Sequence, residues 1–333
     1  MPTFMNFLFL DHRMFEKLPH VATSEEIVDQ AFKRASKITV KGIKDPLKRY
    51  KSLNIAKITA VRDIVLKNLS IVDKWPYVNR IHPFYRELLD IVVGISPYKK
   101  ALSEINWARG KIEGLWEKYK NRIKGAESEK EIYSLRREFY GRVASILDEI
   151  EDSLLFLINA REKLRKLPSV NPDDFCVVLA GYPNVGKSML VRRISTAEPE
   201  IASYPFTTKG IIVGHMDYDG GRIVIVDTPG ILDRPPEKMK DMEKQALLAL
   251  RHLADLIIFL LDPTEQCGYS LEAQESLLKS LKKMFPDKEF LVVENKADVV
   301  ERPTNNIKIS ALTGKNVDYL VDVILRKVRE KKK

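Results

Sequence analysis

Gly181-Tyr182-Pro183-Asn184-Val185-Gly186-Lys187-Ser188 is a GxxxxGKS run placed directly after the apolar stretch Phe175–Ala180. Gly181 and Gly186 let backbone N–H groups turn inward around a β-phosphate, and a helix opening at Gly186 adds the partial positive charge of its N-terminus. Lys187 would then reach the β- and γ-phosphates, and Ser188 would ligate Mg²⁺. Asp227-Thr228-Pro229-Gly230 ends a second apolar run, Arg222–Val226. Its carboxylate is therefore expected at the carboxyl edge of a sheet, where open α/β sheets bind ligands. Asp227 would hold Mg²⁺ through water, and the Gly230 N–H would sense a γ-phosphate.

Asn295-Lys296-Ala297-Asp298 follows a third apolar run and reads as a base selector. Asp298 can accept two hydrogen bonds from the N1 and N2 donors of guanine, which adenine lacks, while Asn295 reads the opposite edge and the Lys296 stem covers the ring. A site built on such a paired polar contact rejects the wrong analogue by factors on the order of 10⁴. GTP and GDP are thus the expected ligands, with Ser310-Ala311-Leu312 offering a backbone donor to the guanine carbonyl. In the loop Ala202–Thr208, the Thr208 hydroxyl is the favoured third Mg²⁺ ligand beside Ser188 and Asp227, with Thr207 as the alternative. Such a loop would order on GTP and relax after hydrolysis. Ile231 stands directly after Gly230, where many small GTPases place a water-orienting Gln. An aliphatic side chain cannot hold water, so slow intrinsic hydrolysis is expected, resting on Lys187, Thr208 and Gly230. The expected nucleotide contacts are residues 181–188, Thr207, Thr208, Asp227, Thr228, Pro229, Gly230, Ile231, Asn295, Lys296, Asp298, Ser310, Ala311 and Leu312.

The elements that must position these residues alternate between short apolar runs and amphipathic helices from Phe175 onward. Runs at 175–180, 211–216, 222–226, 256–261, 290–293 and 307–309, with helices starting near Gly186, Lys238, Leu271 and Asn316, give a mostly parallel sheet covered on both faces. Ahead of them, residues 24–166 carry helical periodicity. Ile105, Ile112 and Tyr119 recur every seven residues, with Leu102, Leu115 and Ile123 beside them. A second stripe runs through Ile132, Leu135, Phe139, Val143, Ile146, Ile150, Leu157 and Leu164, joined to the first across Lys124–Ser128. These stripes need each other, which predicts an all-α bundle completed by 24–36, 45–70 and 82–93. The expected division is a short extension over 1–13, a bundle over 14–167, a linker at 168–172 marked by Pro168 and Pro172, and an α/β P-loop GTPase domain over 173–333.

A composition of 44% hydrophobic and 31% charged residues excludes a mainly disordered chain. Two cysteines, Cys176 and Cys267, leave no disulfide framework and point to the cytoplasm. The apolar start meets Asp11, His12 and Arg13 before reaching signal or membrane-spanning length, so no membrane partner is expected. Residues 1–170 carry 32 Lys and Arg against 22 Asp and Glu, while residues 171–333 carry 24 of each. The net charge of +10 therefore sits in the helical half, where a polyanion would dock, and Arg326–Lys333 adds a second basic patch.

Taken together, GYPNVGKS, YPFTTKG, VGHMDY, DTPGILDRP, EQCGYSLEAQ and ENKAD resemble the Obg-type GTPases, in particular their nucleolar GTP-binding (Nog) branch. IHPFYRELLDI and YKKALSEINWARGKI extend the likeness into the bundle. The resemblance implies a factor for assembly of the large ribosomal subunit that binds ribosomal RNA and the precursor particle rather than DNA. Nucleolar members carry a long C-terminal extension, and its lack here fits an archaeal-type homologue. Relatives with Asn at position 184 can hold K⁺ where others use an arginine finger; the alternative is that Asn184 merely suits the loop turn. The competing function is a structural placeholder that GTP stabilises, with incidental turnover.

Overall fold

The computed structural model of the protein describes residues 13–207, 210–234 and 239–331. The extension over 1–13 therefore lies outside the described residues but for Arg13. Contacts divide the chain into two compact units that are not consecutive in sequence. One holds residues 17–78 and 93–165; the other holds 13–16, 79–92 and everything from 166 onward.

The first unit is a helical bundle of α1 (Ser24–Ser36), α2 (Pro46–Leu69), α4 (Ile95–Gly125), α5 (Glu129–Glu149) and α6 (Glu151–Leu164). Three of these helices, α1, α2 and α5, start where side chains satisfy their first N–H groups. Thr23 and Glu26 exchange hydrogen bonds in a capping box, Asp45 accepts from the Lys48 N–H at 2.8 Å ahead of Pro46, and Ser128 accepts from Glu131. The sevenfold stripe is buried as expected at Ile105, Ile112, Tyr119 and Ile123. Leu102 and Leu115 are only half-buried, because Ala101 and Ala108 take the inward positions and let the neighbouring helices approach. The second stripe differs more: it is two helices, which meet at Ile150 with φ −102° and ψ 8°. Past the break the Glu151 carboxylate accepts from the Ser24 N–H at 2.8 Å, fixing the start of α6 against α1. Asn54 of α2 is fully buried and satisfied, giving an N–H to the Tyr50 carbonyl and accepting from Arg136 of α5 at 2.8 Å.

The second unit has a P-loop GTPase architecture. It contains α3 (Pro83–Val93, of which residues 83–92 belong here), β1 (Phe175–Ala180), α7 (Lys187–Ile194), β2 (Glu200–Ala202), β3 (Ile211–Tyr218), β4 (Gly221–Asp227), α8 (Asp241–Leu253), β5 (Leu256–Leu261), α9 (Leu271–Met284), β6 (Glu289–Glu294), β7 (Ile307–Lys308) and α10 (Val317–Lys331). The seven strands run in the order β2-β3-β4-β1-β5-β6-β7. Pairing is antiparallel at β2–β3 and β3–β4 and parallel elsewhere. β1 and β5 are buried along their whole lengths, as central parallel strands covered on both faces must be. α3 joins this unit because the Tyr85 hydroxyl accepts from the Val170 N–H at 2.8 Å and donates to the Val170 carbonyl at 2.5 Å. The segment expected as a linker is thus held by a buried phenol just before β1. Among the described residues no helix is long and apolar enough to cross a membrane.

Candidate guanine-nucleotide site

The parallel register sets where the functional side chains emerge. Leu179 of β1 pairs with Asp227 of β4, and Leu261 of β5 pairs with Glu294 of β6, so the segments after β1, β4, β5 and β6 all leave the same edge of the sheet. At the end of β1 the chain must turn sharply: Gly181 has φ +133°, and a Cβ there would stand 2.5 Å from the Leu260 carbonyl oxygen. Gly186 has φ +101°, and a Cβ there would collide with the Asn295 amide. Asn184, exposed and at φ 63°, occupies the left-handed region that Asn tolerates better than most residues. That conformation suits Asn at this position.

Lys187 is almost fully buried and folds back to donate to the carbonyls of Gly181 (2.7 Å) and Tyr182 (2.9 Å). Burial lowers its pKa, opposed by the charges of Asp227 and Asp233. Ser188 Oγ donates to Asp227 Oδ2 at 2.5 Å. Burial holds the Asp227 carboxyl above its ordinary value, against the pull of Lys187 and Ser188, and its Oδ1 is buried without a hydrogen-bond partner. The hydroxyl and the carboxylate expected to meet at a metal are therefore adjacent, with one buried oxygen left over.

Thr228 is fully buried and its hydroxyl reaches the Leu179 carbonyl at 3.4 Å, while its own carbonyl accepts from Ile231 and Leu232 to form a turn past Pro229. Ile231 packs inside, 4% exposed. The Thr207 hydroxyl donates to the Tyr204 carbonyl at 2.9 Å, and Tyr204 is itself anchored to the Ala246 carbonyl of α8. Thr208 lies outside the described residues.

On the base side Asn295 has a tying role beside the edge contact expected of it, since its amide nitrogen carries a second N–H. Its amide donates to the Val185 carbonyl at 2.8 Å and accepts from the Ala311 N–H at 2.8 Å, joining the phosphate loop to the Ser310–Leu312 segment. The Ala311 N–H is thereby spent, so a base-facing donor must come from elsewhere in that segment. Ser310 is fully buried and caps the turn by accepting from the Thr313 N–H, while Leu312 is exposed. Asp298 is exposed, and among the described residues nothing hydrogen-bonds its carboxylate, which leaves two acceptors in place.

Two residues here escaped the sequence reading. Asp262, buried at the end of β5, accepts from Lys296 Nζ at 2.6 Å, from Thr264 and from the Cys267 N–H. Burial alone would raise its pKa; the bonds from Lys296, Thr264 and Cys267 outweigh that and hold it below the ordinary carboxylate range. It fixes the Lys296 stem, and its only signal in sequence is an acid at the carboxyl end of an apolar run. Arg193 of α7 donates to the Ala311 and Leu312 carbonyls at 2.7 and 2.5 Å, a contact that no local pattern announces. Tyr182 stacks on Tyr269 with ring centroids 3.9 Å apart, which holds the loop after β5 against the phosphate loop.

Comparison with known proteins gives the family. The model of the NOG1 N-terminal helical domain matches residues 15–171, and that of nucleolar GTP-binding protein 1 (NOG1) matches residues 241–298. An uncharacterized protein of Methanocaldococcus jannaschii is 40% identical over 291 residues, covering 86% of this chain and 81% of that protein. Nucleolar GTP-binding protein 1 of Saccharomyces cerevisiae is 34% identical over 289 residues, covering 86% of this chain and 45% of that protein. Its Arabidopsis thaliana counterpart is 35% identical over 298 residues, covering 88% and 44%. The chain spans a little under half the length of these nucleolar relatives.

Proposed function

The chain belongs to the NOG1 family, and from that premise we propose that it is an Obg-type, archaeal-type switch that binds GTP with Mg²⁺, hydrolyses it slowly to GDP and phosphate, and serves assembly of the large ribosomal subunit by binding ribosomal RNA and the precursor particle. The observation that carries the nucleotide part is the amide of Asn295, which stands three residues before the exposed Asp298 and joins the phosphate loop to the Ser310–Leu312 segment. Ser188 and Asp227 would hold the metal, and the unpartnered Asp227 Oδ1 fits a cation better than it fits an empty cleft. When bound, Mg²⁺ neutralises charge on the β- and γ-phosphates.

Lys187, held by two carbonyls of its own loop, is positioned to exchange them for phosphate oxygens. The buried Ile231 cannot orient water, so turnover depends on a group from elsewhere. The exposed Asn184 amide, which could hold K⁺, is the candidate within the chain. The same buried Ile231 favours one second reading, a nucleotide-stabilised placeholder with incidental turnover. Cys176 and Cys267, both free and buried, suit a cytoplasmic protein.

The test is nucleotide binding by the full chain, with hydrolysis followed in KCl and in NaCl. Guanine nucleotides should bind and adenine nucleotides should not. Asp298→Ala should weaken GDP by about 100-fold or more while the chain stays folded, as loss of a paired polar contact does. Equal affinity for guanine and adenine nucleotides in the parent chain would refute the reading, and equal turnover in the two salts would remove K⁺ from it.

A further inference from the structure

The Gly230 N–H is the donor that a γ-phosphate needs, and in this structure it is given to another anion. It donates to Asp233 Oδ2 at 2.7 Å. The turn that brings this carboxylate back is held from both sides. The Thr228 carbonyl accepts from Ile231 (3.2 Å) and Leu232 (3.5 Å), and the Leu232 carbonyl accepts from the Gly181 N–H at 3.0 Å. Asp233 is therefore carried by a segment fastened to the first glycine of the phosphate loop. Its charge is also felt by Lys187, whose ammonium it supports, and by Asp227, whose ionisation it opposes.

We propose that Asp233 sets the balance between GDP and GTP by occupying the Gly230 N–H as an internal substitute for the γ-phosphate. One N–H proton serves one strong acceptor, and a carboxylate and a terminal phosphate repel each other at that distance. GTP must therefore displace Asp233, giving up a charge-assisted bond. GDP ends at the β-phosphate and leaves Asp233 in place. The release of Asp233 from Gly230 then marks the triphosphate state, and loss of the γ-phosphate lets it return.

This rests on the guanine-nucleotide reading, and the experiment separates the two. Dissociation constants for fluorescent GDP and for a non-hydrolysable β,γ-imido GTP analogue, both with Mg²⁺, are measured on the full chain and on Asp233→Ala and Asp233→Asn. The GDP constant should stay within about twofold. The GTP analogue should tighten by roughly tenfold in the Ala variant, and by less in the Asn variant, which keeps an acceptor oxygen but loses the charge. If the Ala variant loses GDP through misfolding, the Asn variant decides on the same ratio. An unchanged ratio, or a weaker GTP analogue, overturns the role of Asp233 while leaving the guanine-nucleotide reading intact. A parent chain that binds neither nucleotide overturns both.

Discussion

Asp227 is fully buried, accepts one hydroxyl and has a second oxygen with no partner among the described residues. A buried charge so poorly compensated costs stability. Its folded pKa is raised above the ordinary 3.8. As pH rises, the unfolded chain loses this proton first, so the folded state weakens from about pH 4 until the folded pKa is passed, and the deficit persists above it. Asp227→Asn should thus raise the melting temperature of the nucleotide-free chain at neutral pH, yet weaken Mg²⁺-dependent GDP binding by roughly tenfold or more. Calorimetry with and without nucleotide checks both, and a lower apo melting temperature would contradict the argument. Asp262 has the opposite sign: its lowered pKa confines any loss of the Lys296 tether to pH below the ordinary carboxylate range. The placing of Lys187, Ser188, Asp227 and Asp298 at or just past strand ends could be read from the sequence because each belongs to a contiguous string that follows an apolar run. Asp262, Arg193 and the tie made by Asn295 could not, because each acts on residues far along the chain that only the sheet order brings near.

At the scale of elements, strands buried on both faces and helices with a terminal cap were readable from sequence. Phe175–Ala180 and Leu256–Leu261 match their apolar runs residue for residue, and Ser24–Ser36 starts after its Thr23 cap. β2 was missed because it is an edge strand of three residues, with Ile201 as its one large apolar side chain. The break at Ile150 was missed because neither Pro nor Gly marks it; packing against α1 imposes it. α3 is tied to the segment before β1 by the Tyr85 phenol. Tyr85→Phe would leave the Val170 N–H and carbonyl buried without their partner, and should destabilise that unit by about 1–3 kcal/mol. Urea unfolding followed by GDP protection reads this out; a change below about 0.5 kcal/mol would mean that water replaces the hydroxyl.

For the molecule as a whole, the charge asymmetry acquires a location. The C-terminal basic run is partly neutralised, since Lys327 pairs with Glu289 at 2.9 Å and Lys331 pairs with Asp255. The helical half keeps its surplus, and exposed Lys99, Lys111 and Lys118 lie along α4. Reversing these three to Glu should lower affinity for large-subunit ribosomal RNA and flatten the slope of log K against log salt by about 0.7–0.9 for each phosphate no longer neutralised. GDP affinity should not change; an unaltered salt slope would take α4 out of the proposed RNA contact. The amide of Asn295 also bears on the molecule entire. Because Asn295, with Arg193 beside it, fastens the 181–188 loop to the Ser310–Leu312 segment, ordering one favours ordering the other. On the proposed reading a whole nucleotide should therefore gain more than its fragments contribute separately, and a free nucleoside or a free pyrophosphate should bind far more weakly than GDP.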